Sequence, residues 1–466
     1  MDEIVELIER NRETLQPDMD RVREAQRLDA VVFAVWQLMR ILGVLLLQKV
    51  LTGRDQAPVD WGRCPHCGTK LESRGLVPRQ MLTFLGMVKW VRKLGRCPKG
   101  CKIGHVAPLD EALGLGSRQR SCLSIQSPAC LLAVFVPYAL AARILEILTG
   151  VRVSEDASWE WVQDAGGRAK EIEQEQAAKL QAGCCTQEGR DPEIDKLPVV
   201  TGADGVNAPF RVPPGEERPG GKKTIWKEIK VAVLARLGQR ERKKDGKQVP
   251  VLEQRRVVAV RGEVEEFEPR LWGEALRQGL GSAANVIWLS DGGAWLWNLL
   301  GRLQARCADT VTILAILDFY HASQNLWKGI EKCFEGATQA AQAYFEDARH
   351  ELRHGDPAKV LDGLKAALGA PDLTEEARTL LSNAYEYLLE HKDHIDYAIF
   401  KKLGIPIGSG FVESACKWLI QQRFKCVGMR WTEQGFDNLL YLRVAWVNGR
   451  FDQLFAAPGD RLARAA

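Results

Sequence analysis

Three acidic residues stand where the chain is best able to hold metal ions. Asp204 and Asp291 each close an apolar segment of strand character, and each is followed by glycine. Glu413 follows the glycine-rich turn Gly404–Gly410 and falls in the first turn of a predicted helix, a position that suits a carboxylate. Carboxylates from distant segments commonly hold two Mg²⁺ ions about 3.5–4 Å apart. We therefore predict that Asp204, Asp291 and Glu413 bind two Mg²⁺ ions, with Mn²⁺ as a substitute.

Asp318 is a rival for the third ligand position, because it also ends a predicted strand. We instead expect it to lie behind the ligands and to orient His321, three residues later, by a hydrogen bond. His321 would then reach the substrate phosphate that reacts. A purely structural role is the alternative for His321. For each carboxylate taken singly, the alternative is pairing with backbone amides at the end of a strand or helix.

Four cysteines have the spacing of a metal site. They form the pairs Cys64–Cys67 and Cys97–Cys101, each in a turn rich in proline and glycine, and a hairpin-like segment lies between the pairs. Four thiolates suit tetrahedral zinc and leave no open position for chemistry. We predict a zinc ribbon with a structural Zn²⁺. His105 is an alternative ligand, and the basic residues of the ribbon are candidates for contact with nucleic acid.

Basic and aromatic residues follow Glu413 along the chain. They are Lys417, Arg423, Lys425, Arg430 and Trp431. Lysine and arginine bind phosphates whatever the base sequence, so we predict that this set binds DNA. A solvated helix face is the alternative for the cations. Trp431 and Trp327 are also candidates to stack on an unpaired base, although tryptophan is more often a core residue.

The order of the predicted elements indicates an α+β multidomain protein. From residue 197 onward, three successive strands precede a helix and then a strand, a helix and a strand, which is the order of a ribonuclease H-like α/β core. An all-helical insertion interrupts that core. The predicted regions are N-terminal helices (1–60), the zinc ribbon (61–106), a helix-turn-helix-like DNA-binding and linker region (107–190), the first part of the core (195–321), the insertion (322–403), the last helix of the core with Glu413 (404–450) and a tail (451–466).

Composition and charge limit the partners and the cellular location that the sequence predicts. The 64 basic and 60 acidic residues leave a net charge of +4, so any basic surface must be local. The N-terminus opens with acidic residues and lacks the pattern of a secretory signal. The apolar segment Ala30–Leu51 is interrupted by Gln37, Arg40, Gln48 and Lys49. We expect a buried or oligomerising helix there rather than a membrane span. A cytoplasmic protein with no membrane partner is therefore predicted.

The motifs together resemble those of bacterial insertion-sequence transposases of the DDE class, and in particular the Kra-type group. The matching motifs are the two cysteine pairs, Pro108–Gly114, Gly202–Gly205, Ser290–Gly293, Asp318–His321 and Gly408–Ser414 through Gly428–Trp431. Their order is consistent over roughly residues 60–445. The resemblance implies Mg²⁺-dependent cleavage and joining of double-stranded DNA, at terminal inverted repeats and in target DNA. It also implies Asp204, Asp291 and Glu413 as the catalytic triad, and a homo-oligomer.

Two other functions fit the same residues. One is a catalytically inactive zinc-ribbon DNA-binding protein derived from a transposase. The other is a nuclease or resolvase on the same core, which would cleave DNA without joining it. An intact triad favours an enzyme over the inactive protein.

Overall fold

The computed structural model describes residues 2–55, 58–104, 106–181, 191–215, 219–221, 223–280, 283, 285–307, 311–334 and 338–456. His105, the alternative zinc ligand, and residues 457–466 of the predicted tail lie outside these ranges. The chain divides into two compact units. Unit 1 comprises residues 1–165 with 451–466, and unit 2 comprises residues 166–450.

Unit 1 combines helices with one β-hairpin. Its elements are α1 (Asp2–Arg10), α2 (Arg12–Glu24), α3 (Leu28–Asp55), β1 (Glu72–Thr83), β2 (Gly86–Arg96), α4 (Pro108–Ala112), α5 (Leu123–Phe135), α6 (Tyr138–Thr149) and the start of α7 (Glu155–Gln181). Strands β1 and β2 pair antiparallel around a tight turn. Gly150 ends α6 in a left-handed conformation, and the Ser154 hydroxyl caps α7 by accepting the amide of Ala157. This is the helix, turn and helix that the sequence predicts, although α7 is 27 residues long.

Helix α3 packs one face against the hairpin. Val44, Leu47 and Leu51 lie against Met81, Val88 and Trp90 of the strands. Within the described part of the chain, α3 is the one helix long and apolar enough to cross a membrane, as judged by length and composition. The other face of α3 carries an exposed apolar stripe.

The stripe on α3 has the spacing of a helix-pairing seam. Its members recur at alternating steps of four and three residues, as in a heptad repeat. They are Leu28, Val32, Val35, Met39, Leu42 and Leu46. All but the half-buried Leu42 are exposed.

A buried ion cluster explains the Pro108–Gly114 motif. The carboxylate of Asp110 lies 2.8 Å from Arg92 Nε and 3.6 Å from Arg79 Nη1, and all three side chains are buried. Because a buried charge needs a partner, Asp110 fixes both strands of the hairpin to α4. Burial also lowers the pKa of Arg79. Arg92 is therefore a structural residue and does not belong to the basic surface that the sequence suggested for the ribbon.

Unit 2 is built on a five-stranded sheet. Its strands are β3 (Val199–Arg211), β4 (Thr224–Glu241), β5 (Gln248–Arg261), β6 (Asn285–Ser290) and β7 (Thr312–Leu317). They lie in the order β5-β4-β3-β6-β7; β3, β4 and β5 are antiparallel, whereas β6 and β7 run parallel to β3. This topology is ribonuclease H-like. It confirms the predicted fold class of an α+β multidomain protein.

The helices of unit 2 cover the sheet and form the insertion. They are the rest of α7, α8 (Pro192–Asp195), α9 (Val264–Arg277), α10 (Ala294–Arg306), α11 (Phe319–Glu331), α12 (Thr338–His354), α13 (Pro357–Leu368), α14 (Glu375–Glu390), α15 (Tyr397–Lys402), α16 (Gly410–Ala415), a π-helix (Cys416–Gln421), α17 (Gln422–Phe424) and α18 (Glu433–Val447). Alternate strand residues face opposite sides. Val199 and Val286 pack with α9 and α10, whereas Val200 and Ile287 pack with α11 and the insertion helices α12–α15.

Two adjacent glycines of α7 differ in how closely other atoms approach them. Gly166 lies against the backbone of α18, where a Cβ would overlap the carbonyl group of Asn438, whereas Gly167 has open space at the same position. Hence a methyl group is excluded at Gly166 and tolerated at Gly167. The close approach of α7 to α18 depends on this one missing side chain.

We predict opposite stability changes for these two glycines. Gly166→Ala should destabilise unit 2 by about 1–3 kcal/mol, because the backbones must separate. Gly167→Ala should stabilise it by about 0.5–1 kcal/mol, because alanine favours the helix. Scanning calorimetry of the unit 2 transition measures both. Equal melting temperatures for the two variants would contradict the close packing of α7 on α18.

Candidate functional site

Sheet register places three aspartates in one row at the edge of the sheet. Thr201 of β3 pairs with Trp288 of β6, and Asp204 and Asp291 each follow three residues later. Ser290 of β6 pairs with Leu317 of β7, and the next residues are Asp291 and Asp318. Strands β6 and β7 end at this edge, whereas β3 continues past Asp204 to Arg211, so the expectation that Asp204 ends its strand is wrong. The register still places Asp204 beside the ends of β6 and β7, where α/β sheets usually bind ligands.

The surroundings of Asp204 raise the pKa of its carboxyl group. Its Oδ1 accepts the backbone N–H of Gly205 at 2.6 Å. Its pKa is raised, first by burial and then by the nearby carboxylates of Asp291 and Glu413, although His321 and the Gly205 hydrogen bond oppose the shift. Asp291 and Glu413 therefore each repel the carboxylate of Asp204. A cation between them would relieve that repulsion.

Asp291 is fixed by its neighbours from two sides. Its Oδ1 accepts the backbone N–H of Gly293 at 2.9 Å, and its carbonyl oxygen accepts the indole N–H of Trp297 at 2.8 Å. The ring of Tyr387, from α14 of the insertion, lies directly on Gly292, where a Cβ would overlap it. Burial, followed by the charge of Asp291, raises the pKa of the Tyr387 hydroxyl, so this phenol stays protonated beside the carboxylate.

Glu413 reaches the same place from α16. Ser409 precedes α16 but forms no side-chain cap; its backbone N–H instead donates to Asp318 Oδ2. The Glu413 side chain is 40% exposed, and its Oε1 lies 4.0 Å from His321 Nε2. Immediately afterwards the helix widens into the π-helix Cys416–Gln421, a deformation that is often found at functional sites.

Asp318 has both carboxylate oxygens committed to the backbone. Oδ1 accepts the N–H of His321 at 2.8 Å and Oδ2 accepts the N–H of Ser409. The residue is fully buried. Asp318 therefore bonds to the backbone amide of His321 and not to its ring. Because both of its oxygens already accept hydrogen bonds, Asp318 is less suited than Glu413 to bind a metal ion.

Three contacts at this site were not predicted from the sequence. Cys416 Sγ lies 3.8 Å from Asp204 Oδ2, and burial followed by the charge of Asp204 raises the pKa of the thiol. A three-residue step from Glu413 along the helix is the signal that could have identified Cys416. Tyr387 and Trp297 lie on separate helices, and no local pattern links either one to Asp291.

The donor set fits a hard divalent cation. Three carboxylates from β3, β6 and α16 converge, and oxygen ligands are what Mg²⁺ and Mn²⁺ prefer. Among the described residues, the four cysteines are the one group of possible ligands whose ligand atoms all lie within 4.8 Å of one another. The oxygens of Asp204, Asp291 and Glu413 do not all lie within that distance of one another.

The four cysteines of unit 1 come together as the spacing predicted. Cys67 Sγ and Cys97 Sγ are 3.5 Å apart, close to the separation of about 3.8 Å that Zn–S bonds of about 2.3 Å give in a tetrahedron. The backbone N–H of Gly68 donates to Cys64 O, and that of Gly100 donates to Cys97 O. Both glycines have positive φ, which each tight turn requires.

The thiols of this cluster already differ in acidity. Hydrogen bonds with Thr69 lower the pKa of Cys67 to about 6, whereas hydrogen bonds with the neighbouring cysteines raise that of Cys101 to about 12. A thiolate therefore forms readily at Cys67, whereas Cys101 needs a bound cation to lose its proton. The cluster is suited to a structural Zn²⁺.

The predicted DNA-binding set separates into exposed and buried members. Lys417, Lys425 and Arg430 are exposed. Arg423 is 1% exposed, and its guanidinium lies 5.4 Å from the ring of Trp431. Trp431 donates its indole N–H to Phe424 O and packs against Phe424 and Phe436.

Burial changes the interpretation of Arg423, and packing changes that of the two tryptophans. Arg423 is too buried to contact phosphate and does not belong to the DNA-binding set. Trp431 is half-buried, fixes the chain after α17 and has the Arg423 guanidinium over its ring. Trp327 likewise packs against Phe345. The candidates left from the predicted set are the three exposed cations.

Known proteins resemble this chain only distantly. No protein-family model and no curated protein matches it. One solved structure that it resembles is the Drosophila P element transposase strand transfer complex. The two share 11% sequence identity, the match covers 72% of this chain and 92% of that chain, and the TM-score is 0.33. At this TM-score the likeness carries no argument about function.

We predict that the purified protein holds about one Zn²⁺ per chain in the cysteine cluster. Cys97→Ser should abolish zinc binding, because three thiolates and a hydroxyl bind zinc poorly. Cys122→Ser is the matched control, since Cys122 lies in unit 1 outside the cluster. Elemental analysis gives the zinc content. Full zinc content in Cys97→Ser would exclude the site.

Proposed function

We propose that this protein is a DNA transposase that cleaves and joins DNA strands at the ends of an insertion sequence. The observation that carries the proposal is the convergence of Asp204, Asp291 and Glu413 at one edge of a ribonuclease H-like sheet. The motif order supports the Kra-type group within that class. A carboxylate cluster at this edge suits phosphodiester chemistry, because divalent ions there stabilise both oxygens of an in-line displacement.

Each residue of the site has a role in this proposal. Asp204 and Asp291 hold their carboxylates in place through hydrogen bonds from Gly205 and Gly293, so little reorganisation is needed when substrate arrives. Glu413 completes the set of acidic ligands. His321, which lies 4.0 Å from Glu413 and is partly exposed, is placed to bind an oxygen of the reacting phosphate.

The proposed substrate is double-stranded DNA, both at terminal inverted repeats and at the target. Lys417 lies in the π-helix beside the site, Lys425 and Arg430 follow that helix, and all three are exposed. They can neutralise phosphates without reading bases. The zinc ribbon of unit 1 would then hold a second DNA-contacting surface in shape, while its Zn²⁺ takes no part in chemistry.

A second copy of the chain is part of the proposal. Transposition joins two DNA ends, and the exposed stripe of α3 has the self-complementary spacing of a paired helix. With 28 residues, α3 is about 42 Å long, enough for several heptads. We place the dimer contact along this stripe.

Substitution at the centre of the stripe tests this dimer. Met39→Glu should convert the oligomer to a monomer, because it buries a charge in the seam. Light scattering after gel filtration measures the mass. The exposed Arg54 near the end of α3 lies off the stripe, and Arg54→Glu should leave the mass unchanged. A wild-type monomer at micromolar concentration would contradict the dimer.

Loss of an aspartate or of the glutamate from the acidic triad should strongly reduce DNA cleavage. We expect Asp204→Asn or Glu413→Gln to reduce nicking of element ends by about 10³-fold, since a lost metal ligand costs several kcal/mol in the transition state. End binding should persist, because phosphate contacts supply it. Glu386→Gln, on the exposed face of α14, is the control.

The same assay separates the proposal from its alternatives. Equal nicking by wild type and both variants would remove the triad assignment. Nicking without strand joining would indicate a nuclease or resolvase. A blank result with wild-type protein on several candidate ends, in Mg²⁺ and in Mn²⁺, would favour a catalytically inactive DNA-binding protein.

A further inference from the structure

A basic cavity lies at the far end of the β3–β4 hairpin from Asp204. It has a volume of about 320 Å³ and is lined by Arg211, Val212, Lys223, Gly428 and Arg430. Three of these five residues are cations, and all three are exposed. No acidic side chain among the described residues lines it. The cavity therefore has the charge and the accessibility of an anion site.

The backbone beneath the cavity is rigidly joined. The N–H of Trp431 donates to Pro209 O at 3.1 Å, and the N–H of Arg211 donates to Trp431 O at 2.8 Å. Arg211 Nε also donates to Arg430 O at 3.1 Å. These bonds fix the segment after α17 to the end of β3. Arg211 is thus held in β3 and Arg430 is tied to it, whereas Lys223 directly precedes β4.

An aromatic cluster supports the same junction from below. Phe210 packs against Phe436, and Phe424 lies between Phe436 and Trp431, with ring centroids 4.3–5.1 Å apart. Phe210, Phe424 and Phe436 are fully buried. Because this packing fixes both β3 and the segment 425–431, the separation of Arg211 and Arg430 is set before any ligand binds.

An exposed tryptophan and a fourth cation belong to the same surface. Trp226 of β4 pairs in register with Pro209, and its side chain is 57% exposed. Lys425 Nζ lies 5.3 Å from the centre of its ring. Glu433, at the start of α18, is paired with Lys227 and Arg261. The positive charge of the cavity is therefore not neutralised by Glu433.

The distance to the carboxylates suggests what occupies the cavity. Arg211 lies seven residues beyond Asp204 on one continuous strand (211 − 204 = 7), which spans about 23 Å at about 3.3 Å per residue. Successive base pairs of a duplex are about 3.4 Å apart. Because seven is odd, the side chain of Arg211 leaves β3 on the face opposite Asp204. A DNA duplex that reaches both sites would therefore cross the edge of the sheet, with its two contacted phosphates about seven base-pair rises apart.

We propose that the cavity formed by Arg211, Lys223 and Arg430 binds a backbone phosphate of the same double-stranded DNA that is cleaved at the carboxylates. This inference rests on the proposed function for the identity of the duplex. It adds a second point of contact on the same unit, which fixes the direction of the duplex across the sheet. Contacts at Asp204 and at the cavity would together fix the position of the duplex on unit 2.

Charge reversal tests the site by binding alone. Lys223→Glu/Arg430→Glu should weaken binding of a fluorescein-labelled DNA duplex of about 30 base pairs by about tenfold or more near 0.1 M salt, and the slope of log K against log salt should fall by about two. Fluorescence anisotropy measures both quantities. Both side chains are exposed, so folding should be retained, which the melting temperature checks. Lys365→Glu, on exposed α13, is the matched control and should change neither quantity appreciably.

The position of the phosphate gives an independent readout. Ethylation of single phosphates should interfere with wild-type binding at about seven base pairs from the cleavage position, and this interference should vanish in the double variant. An unchanged affinity and salt slope in that variant would overturn the cavity while leaving the triad intact. Conversely, weakened binding together with cleavage that survives Asp204→Asn would support the cavity and contradict the proposed function.

Discussion

The buried carboxylate of Asp318 is the contact on which the candidate site depends. A buried carboxylate must be satisfied by hydrogen-bond donors, and backbone N–H groups reach both of its oxygens. One donor, His321, lies in the first turn of α11 directly after β7. The other, Ser409, lies 91 residues beyond Asp318. Together with the backbone hydrogen bond from Phe319 N–H to Ile407 O, this side chain holds the returning polypeptide at the edge of the sheet after the whole helical insertion. It thereby fixes the start of α16, from which Glu413 projects.

The insertion also supports the site, because its last helices contact the edge of the sheet directly. Tyr387 covers Gly292, next to Asp291. His391 and His394 both pack against Trp297, at centroid distances of 4.4 and 4.6 Å, and Trp297 holds the Asp291 carbonyl. Tyr397 donates its hydroxyl to Leu317 O at 3.0 Å. The helices that separate β7 from Glu413 in sequence thus fix the positions of Asp291 and of the end of β7.

Local sequence patterns predicted the cysteine cluster and the order of the five strands of unit 2, because each depends on near neighbours in the chain. The bounds of the strands were less well predicted: the pattern ended the first strand at Asp204, whereas β3 continues to Arg211. The strand pattern alone does not separate the proposed metal ligand Asp291 from Asp318, which lies behind the ligands. Both end strands, and only the amides of His321 and Ser409 distinguish Asp318. Arg423 was misplaced for a related reason: its cationic head suggests solvent, yet it is buried beside Trp431. Tyr387 had no local signal at all, since long-range packing alone brings it to Gly292.

The central claim is that Asp204, Asp291 and Glu413, from three distant segments, share bound divalent ions. Fe²⁺ placed at an Mg²⁺ site and treated with ascorbate and peroxide generates radicals that cut the nearby backbone, and the cuts can be located by mass spectrometry. We expect cuts near residues 204, 291 and 413 together, all suppressed by excess Mg²⁺ and all lost in Asp204→Asn. Cuts confined to one of these segments, or a pattern that Mg²⁺ does not suppress, would contradict it.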